Sequence, residues 1–372
     1  PNVDFYDQYA RFVGSHTVEL TDGTRLQGRQ IVVAAGSRAV LPPVPGIDSS
    51  KVYTNDNVMR MDELPARMVV IGGGVIAAEF SHVFSAFGTE VTQLNRSSRL
   101  LRGVDEEVVA RFEEAASKQW NIVKNASLSE IRENADGSVT VVAKHTTENG
   151  EELLEIPADA VLVATGRRPN TDTLNAKNYF DVQDGGQLSV DKYQRVLYNG
   201  APVSGVYALG DVSSRYQLKH VANHEARVVQ HNLSHPEDLR ASDHRYVPAA
   251  VFSNPQIAVV GMTEEQARQA AEREGFEITV KAQNFGDTAY GWAMEDKIGL
   301  CKLIARKDNG ELLGAHLVGE ESSVLIQPLL QAMSFGMDTR TLARGQYWIH
   351  PALTEVVENA LLGLEFDEPA QA

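Results

Sequence analysis

The sequence predicts an α/β protein whose C-terminal part is a separate α+β region. Three observations predict it. An apolar run, Met68 to Ile71, ends in Gly72-Gly73-Gly74 and leads into the helical pattern Val75 to Phe87 and a second strand, Glu90 to Leu94, which together make one βαβ unit. The short strand Val203 to Leu209 stops at Gly210-Asp211, and a helix is expected from about Lys219 to Leu233. From His244 onward, strands mix with amphipathic helices, a pattern unlike the preceding one.

Taken in order, Phe5 to Ala35 reads as a short antiparallel meander: Val18 to Leu20, the turn Thr21-Asp22-Gly23-Thr24, and the strand Gln30 to Ala34 ending at Gly36. A proline-rich connector, Leu41 to Gly46, precedes the βαβ unit. A charged helix is expected over Asp105 to Gln119, then a hairpin-like stretch and an apolar strand, Ala160 to Ala164, ending at Thr165-Gly166. The C-terminal region carries strands at Ala249 to Phe252, Glu277 to Ala282, Leu300 to Ala305 and Leu312 to Val318, with helices over Thr263 to Glu274 and Ser322 to Phe335. A domain boundary is placed near Asp243. No solenoid-period repeat or low-complexity tract occurs.

A chain of 372 residues implies two or three domains. Its hydrophobic fraction of 43% is ordinary for a globular protein, and its net charge of -16 argues against a general nucleic-acid-binding surface. No apolar stretch of 18 residues and no signal peptide are visible, so a cytoplasmic location is expected, with no membrane partner. The single cysteine, Cys301, fits that location and excludes an intrachain disulfide. The first residue is proline and the sequence enters directly into strand-like material, which reads as a fragment.

Gly72-Gly73-Gly74-Val75-Ile76-Ala77 has the GxGxxA form in the strand-to-helix context that dinucleotide binding requires. Gly72 permits the tight turn, Gly74 lets a pyrophosphate approach the positive helix end, and Ala77 allows the helix to pack closely on the strand. At the end of the second strand, where an acidic residue would accept a ribose 2′-hydroxyl, stand Asn95 and Arg96, with Arg99 and Arg102 close behind. Guanidinium groups suit phosphate oxygens, so NADPH is expected over NADH. Gly210-Asp211 ends a strand with a carboxylate that a polyol could meet, although an ordinary Gly-Asp turn has the same sequence.

Near the C-terminus, His350-Pro351 is followed five residues on by Glu355. Proline suits the first helical position, so Pro351 is expected there, with Glu355 reaching back to hold the imidazole in one tautomer. His350 could then act as general acid and base towards a thiol. Taken alone, a helix opening with His-Pro and carrying a glutamate occurs by chance.

In this order, GGGVIAAE at 72–79, VATGRRPN at 163–170, GVYALGDV at 205–212 and HPALTEVVE at 350–358 resemble the class I flavoprotein disulfide reductases, the pyridine nucleotide-disulfide oxidoreductases. Within that family, FGDTAYGWAMED at 285–296 and QYWIHPALTEVVENALLGL at 346–364 are most similar to the mycothione reductase branch. The resemblance implies Rossmann-like FAD- and NAD(P)-binding domains: an FAD-domain remnant at 1–46, an NADPH domain at 47–167, more of the FAD domain at 168–243 and a dimerisation domain at 244–372. It implies FAD and NADPH as cofactors, no metal, a homodimer whose active site is shared between subunits, and a low-molecular-weight disulfide, mycothione foremost, as substrate.

Roles carry over residue by residue. Gly210 and Asp211 match the segment that binds the ribityl chain of FAD, and the backbone around His220 and Val221 matches the helix start facing the flavin pyrimidine. Gly166 and Arg167 match a segment beside the cofactors, and Arg96 and Arg102 the two arginines on the 2′-phosphate. Glu79 matches a carboxylate near the nicotinamide and flavin N5 that normally pairs with a lysine. His350 and Glu355 match the acid/base pair that reaches the other subunit. Val75 replaces an aromatic residue that covers the nicotinamide pocket in some members. The family's FAD-pyrophosphate motif, its CxxxxC pair and the lysine partner of Glu79 do not occur, and are expected before Pro1 in a stretch on the order of 100 residues. Glutathione, trypanothione and dihydrolipoamide systems share the same motifs. A nucleotide-binding or dimerisation module without reductase activity is the competing expectation.

Overall fold

The computed structural model describes residues 2–367, which form two compact units. It is a mixed α/β protein, as the sequence predicts.

One unit runs through Val40 and resumes over Arg167–His244. Its N-terminal meander is the antiparallel sheet Ala10–Gly14, Thr17–Leu20 and Arg25–Gln27. The expected last strand leaves that meander. Ile31–Val33 pairs in parallel with Ala201–Ala208, which in turn pairs with Arg195–Tyr198. Val33, Val206 and Ala208 thereby join one buried cluster with Phe12 and Phe180, and that burial of apolar surface favours the parallel pairing. A two-stranded ribbon, Ser37–Ala39 with Arg167–Pro169, links the two chain segments of this unit. The helix Lys219–Ser234 follows.

The other unit comprises Leu41–Gly166 and the chain from Arg245 onward. Its first layer is a five-stranded parallel sheet in the order Val52–Tyr53, Ala160–Val163, Arg67–Ile71, Glu90–Leu94, Asn121–Val123. Arg67–Ile71 is buried from Met68 to Ile71, as a strand covered on both faces must be. It lies between Glu90–Leu94, reached through the helix Val75–Ala86, and Ala160–Val163, reached much later. The glycine turn therefore sits where the strand order reverses, the place at which open parallel sheets bind nucleotides. The expected hairpin is a three-stranded antiparallel sheet, Ala126–Glu133, Val139–Thr147 and Gly150–Ala158.

The C-terminal part is an antiparallel sheet in the order Ala249–Val251, Gln256–Gly261, Leu312–Gly319, Leu300–Arg306, Ile278–Asn284. Gln256–Gly261 is a strand that periodicity missed, since its buried residues, Ile257, Ala258 and Val260, do not alternate. The expected helix Ser322 to Phe335 is two, Ser322–Leu325 and Gln327–Phe335. Pro328 sits in the first turn of the second, where its missing N–H is harmless, but it cannot continue the first. Val251, Ile257, Leu300 and Val318 share a buried cluster with Val70 and Phe112, so the two sheets of this unit have a common core.

Pro351 does not open a helix. The last helix is Glu355–Leu362, and Ala352 to Thr354 form turns that receive Glu355 N–H and Val356 N–H on Ala352 O and Leu353 O, at 3.1 and 3.0 Å. Leu353 packs against the C-terminal core, and that anchor delays the helix by a turn.

Candidate functional site

The glycine turn, the arginine loop and the segment ending at Gly166 line one cleft of about 540 Å3. Gly72 has φ 141°, and a Cβ there would stand 2.3 Å from Ala164 O, so only glycine fits. Ala77 is fully buried under the turn, as close packing of helix on strand requires. A Cβ built on Gly74 meets nothing within 4 Å, which leaves open space at the N-terminus of the helix Val75–Ala86. Unpaired N–H groups and the helix dipole make that space suited to an anion.

Arg96 and Arg102 are exposed on the same cleft, and among the described residues no hydrogen bond or ion pair engages either guanidinium. Two unpaired arginines in a protein of net charge -16 fit a phosphate ligand. Arg99 is used differently: its Nη2 donates to Arg102 O and Val104 O at 2.9 and 3.3 Å and so braces the loop. Glu79 lies on the helix Val75–Ala86, where Oε1 accepts Phe252 N–H at 2.8 Å and burial pushes its carboxyl above the usual range. Val75 is exposed at the start of that helix. Gly166 borders the cleft with φ 141°.

In the other unit, Asp211 Oδ2 accepts the Ser37 hydroxyl at 2.6 Å, and Ser37 Oγ in turn accepts Arg167 Nε–H at 2.8 Å. Arg167 Nη2 also donates to Ser37 O at 2.8 Å. Asp211 Oδ1 has no donor among the described residues, so one carboxylate oxygen is held and the other can accept from a hydroxyl-rich ligand. Gly210, with φ 71°, donates its N–H to Glu225 Oε2 at 2.7 Å. His220 and Val221 lie in the first turn of the helix Lys219–Ser234, the former exposed and the latter buried.

Ser37 and Glu225 escaped sequence reasoning. Ser37 carries no local signal, because its partners are 130 and 174 residues away. Glu225 does carry one. The buried face of its helix is Val221, Glu225, Val228, Val229 and Asn232, a helical stripe with a carboxylate in its middle. An acid on an apolar stripe needs a partner, here Gly210 N–H, with His244 Nε2 lying 3.1 Å from the other oxygen, Oε1.

His350 and Glu355 come together as their spacing suggests: Nδ1 lies 2.9 Å from Oε1, with the imidazole largely exposed and the carboxylate largely covered. Glu355 sits in the first turn of its helix, where negative charge is favoured. Cys301 is fully buried, and burial pushes its thiol far above the ordinary range, so it cannot be the sulfur that this pair serves.

Comparisons with known proteins identify the family. Residues 1–226 match the family model for pyridine nucleotide-disulphide oxidoreductases, and residues 247–361 the model for the dimerisation domain of the same family. The mycothione reductase of Mycobacterium tuberculosis is 49% identical over 374 residues, covering 98% of this chain and 78% of the relative. The glutathione reductase of Burkholderia cepacia is 32% identical, covering 95% of this chain and 74% of the relative. Among solved structures, the HOCl-induced flavoprotein disulfide reductase RclA of Escherichia coli superposes with a TM-score of 0.85 at 29% identity, over 98% of this chain and 80% of that one. No helix among the described residues is long and apolar enough to cross a membrane.

Proposed function

Since the chain belongs to the pyridine nucleotide-disulphide oxidoreductases, a family of flavoenzymes that use FAD and NAD(P)H, we propose that it serves NADPH-dependent reduction of a low-molecular-weight disulfide, with mycothione as the substrate and mycothiol as the product. The observation that carries the reading is the convergence of Arg96 and Arg102, both without protein partners among the described residues, on the cleft that holds the glycine turn. The 49% identity to a mycothione reductase, against 32% to a glutathione reductase, supports the choice of disulfide.

Bound together, NADPH and FAD supply the two electrons that a disulfide needs. The protein's part is binding, orientation and proton delivery. Gly72 and Gly74 let the nucleotide pyrophosphate lie against the helix start, and Arg96 and Arg102 take the 2′-phosphate. Asp211, held by Ser37, accepts from the ribityl hydroxyls, with Gly210 and Arg167 shaping the backbone alongside, while the helix start at His220 and Val221 favours negative charge beside it; Gly166 shapes the border of the nucleotide cleft. Glu79, its carboxyl raised by burial, would be the acid beside the nicotinamide. His350, as the imidazolium, gives its Nε2 proton to the departing thiolate and becomes the neutral imidazole, while Glu355 accepts a hydrogen bond from Nδ1–H, which fixes the tautomer and stabilises the charged form before transfer. We assign 247–361 to the interface of a homodimer in which this pair serves the partner's site, the role that the matched dimerisation model supports. The exchanging cysteine pair required by this reading is not among these residues, Cys301 being their single cysteine.

The test is turnover with mycothione disulfide and glutathione disulfide, under NADPH and NADH, on protein that includes a redox cysteine pair and binds flavin. A preference for mycothione disulfide with NADPH is expected. Equal rates with both disulfides, or with both nucleotides, would overturn the corresponding part of the reading.

A further inference from the structure

We propose that Asn95 is the residue that sets nucleotide specificity by position, folding the loop that carries Arg96 and Arg102; this rests on the NADPH reading above. Asn95 closes the strand Glu90–Leu94 at the place where an acid would meet a ribose 2′-hydroxyl, and it is 6% exposed. It is turned into the loop. Its Nδ2 donates to Ser97 O at 2.9 Å, Ser97 Oγ at 3.1 Å and Arg99 O at 2.9 Å, so one amide gathers the four residues after it into a tight arch. The two backbone carbonyls, Ser97 O and Arg99 O, can only accept, which assigns the amide nitrogen to this side and excludes a carboxylate from doing the same work.

The other side of the amide fixes the arch on the glycine turn. A Cβ on Gly73 would stand 2.3 Å from Asn95 Oδ1, so the amide oxygen occupies the space that a side chain at Gly73 would need. A second tie completes the arrangement: Leu101 N–H donates to Gly73 O at 2.7 Å, and Leu101 takes a left-handed backbone, φ 44°, that leucine rarely adopts. Its side chain is buried in the core, which holds it there. The arch has Arg96 on its rising limb and Arg102 just past its end, both bordering one cleft. Loss of the Asn95 amide would let their guanidinium groups diverge, whereas the Leu101–Gly73 bond still ties down the glycine turn that any dinucleotide meets. Asn95 is therefore a positioning residue whose loss is felt by the 2′-phosphate alone.

The experiment measures equilibrium binding of 2′,5′-ADP, ADP, NADPH and NADH to the wild type, Asn95→Ala and Asn95→Asp, by calorimetry or fluorescence. For Asn95→Ala, 2′,5′-ADP and NADPH should bind about tenfold more weakly, with ADP and NADH within about threefold of wild type. Asn95→Asp should shift the ratio further, because a carboxylate cannot donate to Ser97 O and Arg99 O and adds negative charge near the 2′-phosphate. A uniform loss for all four ligands would mark Asn95 as merely structural, and an unchanged NADPH-to-NADH ratio would overturn the proposal. Should Asn95→Ala fail to fold, Asn95→Ser keeps a polar group in the pocket but cannot span both carbonyls, and the same ratio decides. Failure of the NADPH reading looks different: wild-type protein would then show no preference for 2′,5′-ADP over ADP before any substitution.

Discussion

Glu355 Oε1 lies 2.9 Å from Nδ1 of His350, a pair formed between a turn residue and the first residue of a helix. Because Nδ1 is engaged, Nε2 is left as the nitrogen that exchanges protons. His350→Ala is expected to lower disulfide turnover by about 100- to 10,000-fold while NADPH still bleaches the flavin at close to the wild-type rate. Stopped-flow absorbance separates the two half-reactions on enzyme that carries the cysteine pair. Parallel loss of both would remove His350 from its role. Glu355→Gln keeps the oxygen but removes the charge, so turnover should fall by roughly 10- to 100-fold, the size of one charge-assisted hydrogen bond.

The unpaired arginines make a second prediction. Arg96→Ala and Arg102→Ala should each weaken NADPH by about 10- to 100-fold and leave NADH within about threefold, since each loses a charge-assisted contact that only the 2′-phosphate offers. Raising the salt concentration should narrow the NADPH preference of the wild type, because both guanidinium groups are exposed and therefore screened. Arg99→Ala should weaken NADPH less, as its guanidinium already binds Arg102 O and Val104 O. Tighter dependence on Arg99 than on Arg102 would contradict the assignment.

What the sequence made legible follows from how local each signal is. Gly72 to Ala77 and the His350–Glu355 pair sit in short motifs whose spacing implies a tight turn and a side-chain contact, and both are present, whereas Arg96, Arg102 and Asp211 take their expected roles from the family resemblance. Ser37 acts through a partner 174 residues away, so only the folded chain brings it to Asp211, whereas Glu225, 15 residues from Gly210, left a signal in the apolar stripe of its own helix. Asn95 was visible, but as a missing acid rather than as a donor. The strand Gln256–Gly261 was lost because neighbours cover it and erase the alternation that marks a half-exposed strand. Pro351 misled for the opposite reason: the first-turn preference of proline is a local rule, and the burial of Leu353 set the helix start further along.

Lys302 is a stability element that no motif announces. It is 4% exposed, and its Nζ lies 3.0 Å from Asp105, 3.2 Å from Glu107 and 2.7 Å from Glu264. Burial alone would lower the ammonium's pKa, but the bonds from Glu264 and Asp105 outweigh it and hold it well above the ordinary lysine value. Burial would likewise raise Asp105 and Glu264, yet Lys302 holds both below the usual carboxylate range. The carboxylates therefore contribute stability that is present above their unfolded pKa and lost as pH falls through the folded one. The lysine contributes stability that is present below its unfolded pKa and lost as pH rises through the folded one. Lys302→Met leaves buried negative charge uncompensated and should cost about 3–5 kcal/mol in urea unfolding, whereas the triple change Lys302→Met, Asp105→Asn, Glu264→Gln should recover part of that. An unchanged urea midpoint for Lys302→Met would show that the cluster adds nothing.

Cys301 gives the last prediction, because it is the single thiol in the sequence and must be told apart from a redox thiol. It lies in the strand Leu300–Arg306 at 0% exposure, in a cluster with Leu303, Leu317 and Phe285. Thiolate, not thiol, reacts with alkylating reagents and disulfides, and burial suppresses the thiolate here. Native protein should therefore resist iodoacetamide at pH 8 for as long as it stays folded, and label fully in urea. Cys301→Ala removes a buried sulfur from a packed strand, so it should cost about 1–3 kcal/mol of stability with nucleotide affinity unchanged. Mass spectrometry of the alkylated protein decides the first point, since rapid labelling at Cys301 in the native state would mean that the strand opens and that this thiol is open to exchange. Urea unfolding of Cys301→Ala decides the second. A variant that kept its stability but lost NADPH binding would place Cys301 in function rather than in the core.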